Sequence, residues 1–254
     1  MATMTIKDPI IYSSISITVK PESHSIMSSK ATTVTEAVSS RRSVRGFTDK
    51  PVDGDTIRRV LTTASRSPSG GNLQPWQIQV VGGEELKKFK EIMVHRLEEA
   101  PTGEEPEYAV YPRELVSPYR DYRFQVGEDM YGILGIPRED KVARRAWFAR
   151  NYQCFSAPLA LFCYVDRSMG PPQWSDLGMF LQTVMLLLRE EDLDSCAQEC
   201  WSLYPETLKK FLNPPEEQML FTGMAIGYAN PEEPVNELRS CRAPLEDFCQ
   251  FRGI

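Results

Sequence analysis

The sequence predicts a single α+β domain in which helices flank a mixed sheet. Helical and strand-like patterns alternate from residue 34 onward, and neither an internal repeat nor a linker between domains interrupts them. The 254 residues are 41% hydrophobic and 25% charged, a composition that supplies one sizeable core. We therefore expect one domain over residues 34–254.

Residues 1–33 are predicted to lie outside this domain, as a strand or a disordered tail. They alternate apolar residues with Ser and Thr, as in PIIYSSISITV. The segment lacks the basic region and long apolar core of a secretory signal, and it lacks the arginines of a transit peptide. We therefore expect an extension that is not a targeting signal.

Apolar residues at helical spacing predict five helices. The second helix, around Ile57–Ala64, has Asp53 or Asp55 as its N-cap. The fourth helix, around Leu177–Leu188, begins at a pair of prolines and has little polar face, which predicts a buried central helix. The helices lie around Val34–Val38, Ile57–Ala64, Leu86–Leu97 and Leu177–Leu188 and in PETLKKFL.

Three apolar runs predict strands: WQIQVVGG, APLALFCYVD and QMLFTGMAIGYA. The second is apolar throughout, which is typical of a strand covered on both faces. LDSCAQECW is predicted to be a linker. Residues 101–141 show no clean period and are predicted to form a mobile insertion, such as a lid or binding loop.

Composition also excludes several kinds of chemistry. The chain has only two histidines. Ser-His-Asp triads, Cys-His pairs and His-rich metal sites therefore have almost no candidate residues. The six cysteines include no C-x-x-C pair, so we expect buried free thiols in a reducing compartment, the cytoplasm, and no metal. The chain is acidic and its longest apolar run is too short for a membrane span, which argues against nucleic-acid and membrane partners.

Two arginine motifs have the chemistry of a phosphate site. Arg41, Arg42 and Arg45 surround Ser43 in the first motif, and Arg239 and Arg242 enclose Ser240 and Cys241 in the second. Guanidinium groups hold phosphate through charge-assisted, partly bidentate hydrogen bonds. A solvated basic turn explains the first motif equally well when it is taken alone, and the second motif carries no weight by itself.

The stretch SPSGGNLQPW lies between a predicted helix and a predicted strand. Its small residues allow backbone groups to approach a planar ligand closely, and Asn72 and Gln74 supply amides that pair with a ring edge. A tight turn needs about one Gly and one Pro, and this stretch has more of both. The pattern favours a ligand-binding wall.

In this order, RRSVRGF, SPSGGNLQPWQIQVV, QWSDLGMFLQTVMLL, LDSCAQE and CRAPLEDF resemble the FMN-dependent nitroreductase family. The resemblance covers residues 34–248 and is nearest to the nitrobenzoate-reductase-like branch. It implies a three-layer sandwich with a mixed, mainly antiparallel sheet, and an interwoven homodimer with two FMN molecules at the subunit interface.

The resemblance also implies a set of cofactor contacts. Arg41, Arg42 and Ser43 would hold the FMN phosphate and ribityl chain with Arg242. Ser240 stands where many relatives have a basic residue, so one phosphate contact is either missing or taken by Arg239 or Arg45. The other implied contacts are Pro68, Ser69, Gly70 and Asn72 from the partner subunit, Asp176 and Met179 near the ribityl or ring region, and Gln198 and Glu199 near the pyrimidine edge and N5.

The implied activity is NAD(P)H-dependent reduction of nitroaromatic or quinone-like acceptors by a ping-pong hydride mechanism. FMN would carry the hydride, so no side chain is needed as a catalytic nucleophile. Two alternatives remain open at this point. One is an FMN-dependent oxidase or dehydrogenase of a specialised natural product, which the long insertion suggests, and the other is a flavin-binding module without turnover.

Overall fold

A computed structural model describes residues 30–254 of the chain. The predicted extension over residues 1–33 falls mostly outside the described residues. Ala31 already belongs to the packed domain, because it is buried and its N–H donates to the carbonyl of Arg189 at 3.0 Å. Between residues 30 and 254, every helix is too short or too polar to cross a lipid bilayer.

Eight α-helices and four strands make up the described chain. The helices are α1 Val34–Ser40, α2 Gly54–Ala64, α3 Gly83–Glu99, α4 Tyr119–Ile133, α5 Lys141–Ala149, α6 Pro171–Glu190, α7 Pro205–Leu212 and α8 Leu245–Phe248, and the strands are β1 Gln77–Gly82, β2 Leu159–Asp166, β3 Asp194–Gln198 and β4 Gln218–Gly227.

Local signals start the helices where the sequence predicts them. Thr33 caps α1 in a capping box, accepting from the Glu36 N–H at 3.1 Å and donating its own N–H to the Glu36 carboxylate. Asp53, the first of the two predicted candidates, caps α2 by accepting from the Thr56 N–H at 2.9 Å. Pro171 at the first turn begins α6, which has 20 residues.

The four strands form one antiparallel sheet in the order β1-β2-β4-β3. In the described chain, the parallel component is an isolated bridge between Ser43 and Ser195 beside β3. Strand β2 is central and apolar on both faces, as predicted: Phe162 faces a core with α3 and α7, and Leu161 faces a core with α2 and α6. The result is the predicted three-layer sandwich.

One sequence prediction is wrong. LDSCAQECW is not a linker: it contains β3 and the start of a 3-10 turn, Glu199–Leu203. The strand shows no apolar period because Asp194, Ser195 and Gln198 are polar, yet all three are buried. Within the insertion, whose sequence shows no clean period, α4 occupies Tyr119–Ile133.

A buried carboxylate in the insertion anchors α7. Glu104 accepts from the N–H groups of Glu206 and Thr207 at 2.8 and 3.1 Å and from Arg96 Nε at 2.9 Å. Burial opposes ionisation of Glu104, but the hydrogen bonds from Thr207 and Arg96 outweigh it and hold its pKa below 4.5. The charged form therefore caps the helix, which stabilises the fold at neutral pH.

We expect Glu104→Gln to lower the free energy of unfolding by about 2 kcal/mol at pH 7, the usual contribution of hydrogen bonds to a charged group. A carboxyl with a depressed pKa stabilises the fold above its unfolded pKa and loses that contribution as pH falls through the folded pKa. Urea denaturation should therefore show the difference at pH 7 and little of it near pH 3. Glu99→Gln is the control, because Glu99 pairs with the same Arg96 but is 68% exposed. A deficit that is equal at both pH values would contradict the assignment.

Candidate functional site

The two arginine motifs come from opposite ends of the domain, and they line one pocket of about 520 Å³. Five of its described lining residues are arginines and none is acidic. All the predicted phosphate ligands line this pocket: Arg41, Arg42, Ser43, Arg45 and Arg242. The complete lining is Val38, Ser39, Arg41, Arg42, Ser43, Arg45, Val126, Gln182, Leu238, Arg239, Ser240 and Arg242.

Backbone pairing holds the first arginine motif in place. Ser43 forms the parallel bridge to Ser195, and the Val44 N–H donates to the Ser195 carbonyl at 3.0 Å. On the other side, the Arg45 N–H donates to Asn236 Oδ1 at 2.9 Å, and the same amide donates to the Gly46 carbonyl at 2.8 Å. The motif therefore lies between β3 and the segment that leads to Arg239 and Arg242.

The pocket concentrates positive charge. Burial lowers the pKa of Arg41, and the charge of Arg242 lowers it further. Burial also lowers the pKa of Arg42, where the charges of Arg239 and Arg189 act in the same direction and Asp194 opposes them. Mutual repulsion among these guanidinium groups favours a bound anion.

One donor of a residue that lines the pocket lacks a partner within the described part of the chain. Arg42 Nε is buried and has no hydrogen-bond partner among the described residues. A buried donor without a partner costs about 1–3 kcal/mol, and a phosphate oxygen would remove that cost. The residues present therefore fit the phosphate group of FMN.

The SPSGGN stretch forms a loop against α6. Gly70–Asn72 is a 3-10 turn in which Gly71 and Asn72 both have φ of 59°, a left-handed conformation that Gly and Asn tolerate. The Gly70 N–H donates to Asp176 Oδ2 at 3.2 Å, and Ser67 Oγ donates to Thr183 Oγ1 at 2.9 Å. Pro68, Ser69 and the Asn72 side chain complete the surface of this loop.

The loop and the arginine pocket occupy different positions on α6. The loop is hydrogen-bonded to Asp176, whereas Gln182 lines the arginine pocket. Six residues of α-helix separate these two positions by about 9 Å along the axis. No residue of the loop lines the arginine pocket of the same chain, within the part that the structure describes.

The remaining predicted ligands differ in their freedom to bind. Asp176 is buried by its contact with the loop, and Met179 on α6 is 39% exposed. Gln198 is buried: its Nε2 donates to the Asn151 carbonyl at 2.7 Å, and its Oε1 accepts from Trp201 Nε1 at 3.2 Å. The Gln198 side chain is thus engaged within the chain, which leaves the exposed Glu199 for a ligand.

The insertion contacts the site at two places: one includes Tyr108 and Tyr111, and the other is Val126. Tyr108 donates to the Phe221 carbonyl, and its ring lies 5.5 Å from that of Trp174. Burial raises the pKa of Tyr108 to about 12, so its hydroxyl remains a donor. In the same segment, Arg123 lies 4.3 Å over the Tyr111 ring. Burial raises the pKa of Tyr111, and the nearby charge of Glu199 raises it further.

The contact through Val126 was not predicted from the sequence. Val126 of α4 lines the arginine pocket, and so do Gln182 of α6 and Leu238. None of these residues has a chemical signature in the sequence, because single apolar or amide side chains are common everywhere in a folded protein. Only the packing of α4 and α6 shows that they belong to the site.

The fold and the pocket define a class of protein: an α+β sandwich with an arginine-rich anion site beside a glycine-rich loop. A model of the nitroreductase family matches residues 38–228. The chain belongs to the nitroreductase family.

Individual relatives agree with this assignment. The chain is 34% identical to a nitrobenzene nitroreductase of Ectopseudomonas oleovorans over 86% of this chain and 96% of the relative. It is 47% identical to the solved FMN and NADPH-dependent nitroreductase NfnB of Sphigopyxis sp. strain HMH, with a TM-score of 0.84 over 87% of this chain and all of that one. The FMN-dependent NfnB of Mycobacterium smegmatis, solved with NADPH, gives 26% identity and a TM-score of 0.82, over 86% of this chain and 97% of that one.

Proposed function

We propose that this chain is an FMN-dependent oxidoreductase that uses NAD(P)H to reduce nitroaromatic or quinone-like acceptors. The observation that carries the proposal is the pocket where two distant arginine motifs meet around the unpartnered Arg42 Nε. The names of the relatives support the same activity, since they are nitroreductases of nitrobenzene and 4-nitrobenzoate or use FMN and NADPH. These names favour the reductive direction over an oxidase.

Each part of the chain has a role in this proposal. Bound FMN would supply hydride transfer between the nicotinamide and the acceptor. Arg41, Arg42 and Arg242 hold the phosphate, with Ser43 and Arg45 beside them. Asp176 fixes the glycine-rich loop by accepting from Gly70. The loop residues Pro68, Ser69, Gly70 and Asn72, together with Met179, Gln198 and Glu199, border the flavin ring.

The loop serves the cofactor of a second subunit in a homodimer. Two features support this arrangement: the loop is separate from the arginine pocket of its own chain, and large apolar side chains are exposed. Val34 is 75% exposed on α1, and Phe248 and Phe251 near the C-terminus are 71% and 61% exposed. Light scattering on the purified protein tests the dimer, and a monomer that retains FMN tightly would contradict the placement of the loop.

The insertion over residues 101–141 is a lid that shapes the acceptor site. Tyr111 lies next to Glu199 on the proposed ring side, and Val126 lies on the phosphate side. A segment that contacts both ends of the site is well placed to select acceptors. We place the enzyme in the cytoplasm, in line with free cysteines at Cys154, Cys163 and Cys196.

An absorbance spectrum followed by anaerobic NADPH and NADH titration tests the proposal directly. A yellow protein whose bound flavin is bleached by either nucleotide, and regains its colour with a nitroaromatic, is the expected result. A colourless protein that stays inactive with added FMN would refute the proposal. Bound flavin that NAD(P)H fails to bleach would favour the oxidase, and bleaching without turnover above free FMN would favour a binding module.

We expect Asn72→Gly to change the redox behaviour of bound flavin without changing the fold. Glycine accepts the left-handed φ of 59° at this position, so the substitution removes only the exposed side chain. Loss of one neutral hydrogen bond of about 1 kcal/mol corresponds to about 20 mV in the midpoint potential of a two-electron couple. Potentiometric titration measures the shift. A lower melting temperature of the apo-protein would instead show that Asn72 is structural.

A further inference from the structure

A buried carboxylate lies directly behind the arginine pocket. Asp194, the first residue of β3, is 2% exposed. Its Oδ1 accepts from Arg189 Nη1 at 2.9 Å, and its Oδ2 is buried without a hydrogen-bond partner among the described residues. Asp194 does not line the pocket. Among the described residues, Oδ2 therefore lacks a hydrogen-bonded cation. Burial raises the pKa of the carboxyl, and the nearby Ala229 N–H counteracts that rise.

The backbone register points to Arg42 as a cation that faces this carboxylate. Ser43 and Ser195 form the parallel bridge. The residues that precede them, Arg42 and Asp194, therefore occupy equivalent positions on two neighbouring segments of the same chain. Equivalent positions in parallel pairing direct their side chains to the same face. The attraction between the two is also visible in their pKa values: Asp194 counteracts the lowering of the Arg42 pKa, and Arg42 counteracts the rise of the Asp194 pKa that burial causes.

Such a counterion would offset the repulsion that acts on Arg42. The charges of Arg239 and Arg189 both act against it, and its Nε has no partner of its own. Without Asp194, repulsion would favour rotamers that move the guanidinium away from its neighbours. With Asp194 behind it, the guanidinium can stay between the carboxylate and an anion.

We propose that Asp194 is a positioning residue for the cofactor phosphate: it holds the guanidinium of Arg42 in the pocket and does not touch the phosphate itself. The inference rests on the proposed function, because the ligand concerned is the phosphate of FMN. It assigns to the polar strand β3 a purpose beyond sheet pairing. It also predicts that Asp194 matters for FMN and not for riboflavin, which lacks the phosphate.

The test measures dissociation constants of FMN and riboflavin by quenching of flavin fluorescence in the apo-protein. We expect Asp194→Asn to weaken FMN binding about tenfold, within the range of couplings in charged networks, and to leave riboflavin binding unchanged. Arg42→Met should also lower the preference for FMN, and adding Asp194→Asn to it should cause no further loss.

Controls separate positioning from a structural role. Asp194→Asn leaves Arg189 without this counterion, so the variant Arg189→Met/Asp194→Asn, which removes the whole pair, provides a second background. It should also lose the preference for FMN, whereas Arg189→Met alone should keep it. Equal loss of FMN and riboflavin binding, or an unchanged preference in both Asp194 variants, would overturn the inference. A wild-type protein that binds the two flavins equally would overturn the proposed phosphate site as well.

Discussion

Replacing both Arg41 and Arg242 by alanine is expected to weaken FMN binding by about 10²–10⁴-fold. Each charged contact with a phosphate contributes about 1.5–3 kcal/mol, and each 1.4 kcal/mol corresponds to a factor of ten in affinity. Both side chains line the same pocket although they come from opposite ends of the domain. Titration of FMN into the apo-protein, followed by fluorescence, measures the change.

The same substitution should not destabilise the apo-protein. The charge of Arg242 lowers the pKa of Arg41, so removing both guanidinium groups relieves a repulsion. The melting temperature without flavin should therefore stay the same or rise. Arg58→Ala is the matched control, since Arg58 is 84% exposed on α2 and lies outside the pocket. FMN that is retained through dialysis by the double variant would show that the phosphate binds elsewhere.

Gly223→Ala is expected to reduce the free energy of unfolding by about 3 kcal/mol, at the upper end of the usual cost of overpacking. A Cβ atom at this position in β4 would lie 2.4 Å from Trp201 Cδ1. Trp201 cannot move aside easily, because it is fully buried and its ring lies 5.3 Å from those of Tyr152 and Phe162. Urea denaturation followed by tryptophan fluorescence measures the loss.

This substitution should affect the site as well as the core. Trp201 Nε1 donates to Gln198 Oε1 at 3.2 Å, so a displaced indole would disturb the segment that carries Gln198 and Glu199. Gly54→Ala at the start of α2 is the control, because nothing lies within 4 Å of its added Cβ. Its stability should stay within about 0.5 kcal/mol of wild type. Wild-type stability in Gly223→Ala would mean that Trp201 adapts to the added methyl group.

Elements with a strong local pattern were predictable. Strand β2 carries an unbroken apolar run, and α2 combines apolar residues at helical spacing with Asp53 as a cap. Strand β3 could not be found this way, because its polar residues are buried against partners outside the strand. Asp194 pairs with Arg189 at the end of α6, five residues earlier, and Gln198 donates to the distant Asn151. Polar residues followed by cysteines look like a linker when the partners are unknown.

For the candidate site, the sequence supplied the chemistry and the order of the motifs. It indicated arginines for an anion and a glycine-rich loop for a flat ring, and the resemblance to nitroreductases connected them. It carried no sign that Val126 or Gln182 would line the pocket. Those residues belong to the site only through the packing of α4 and α6.

By itself, the sequence determined the helices and strands with a regular apolar period, and it determined which side chains can bind a phosphate. The tertiary structure decided that Arg41 and Arg242 share a pocket and that polar β3 is a buried strand beside the first arginine motif. The physical reason is that periodicity and capping act over a few residues, whereas buried charges are stabilised by partners that only folding brings near.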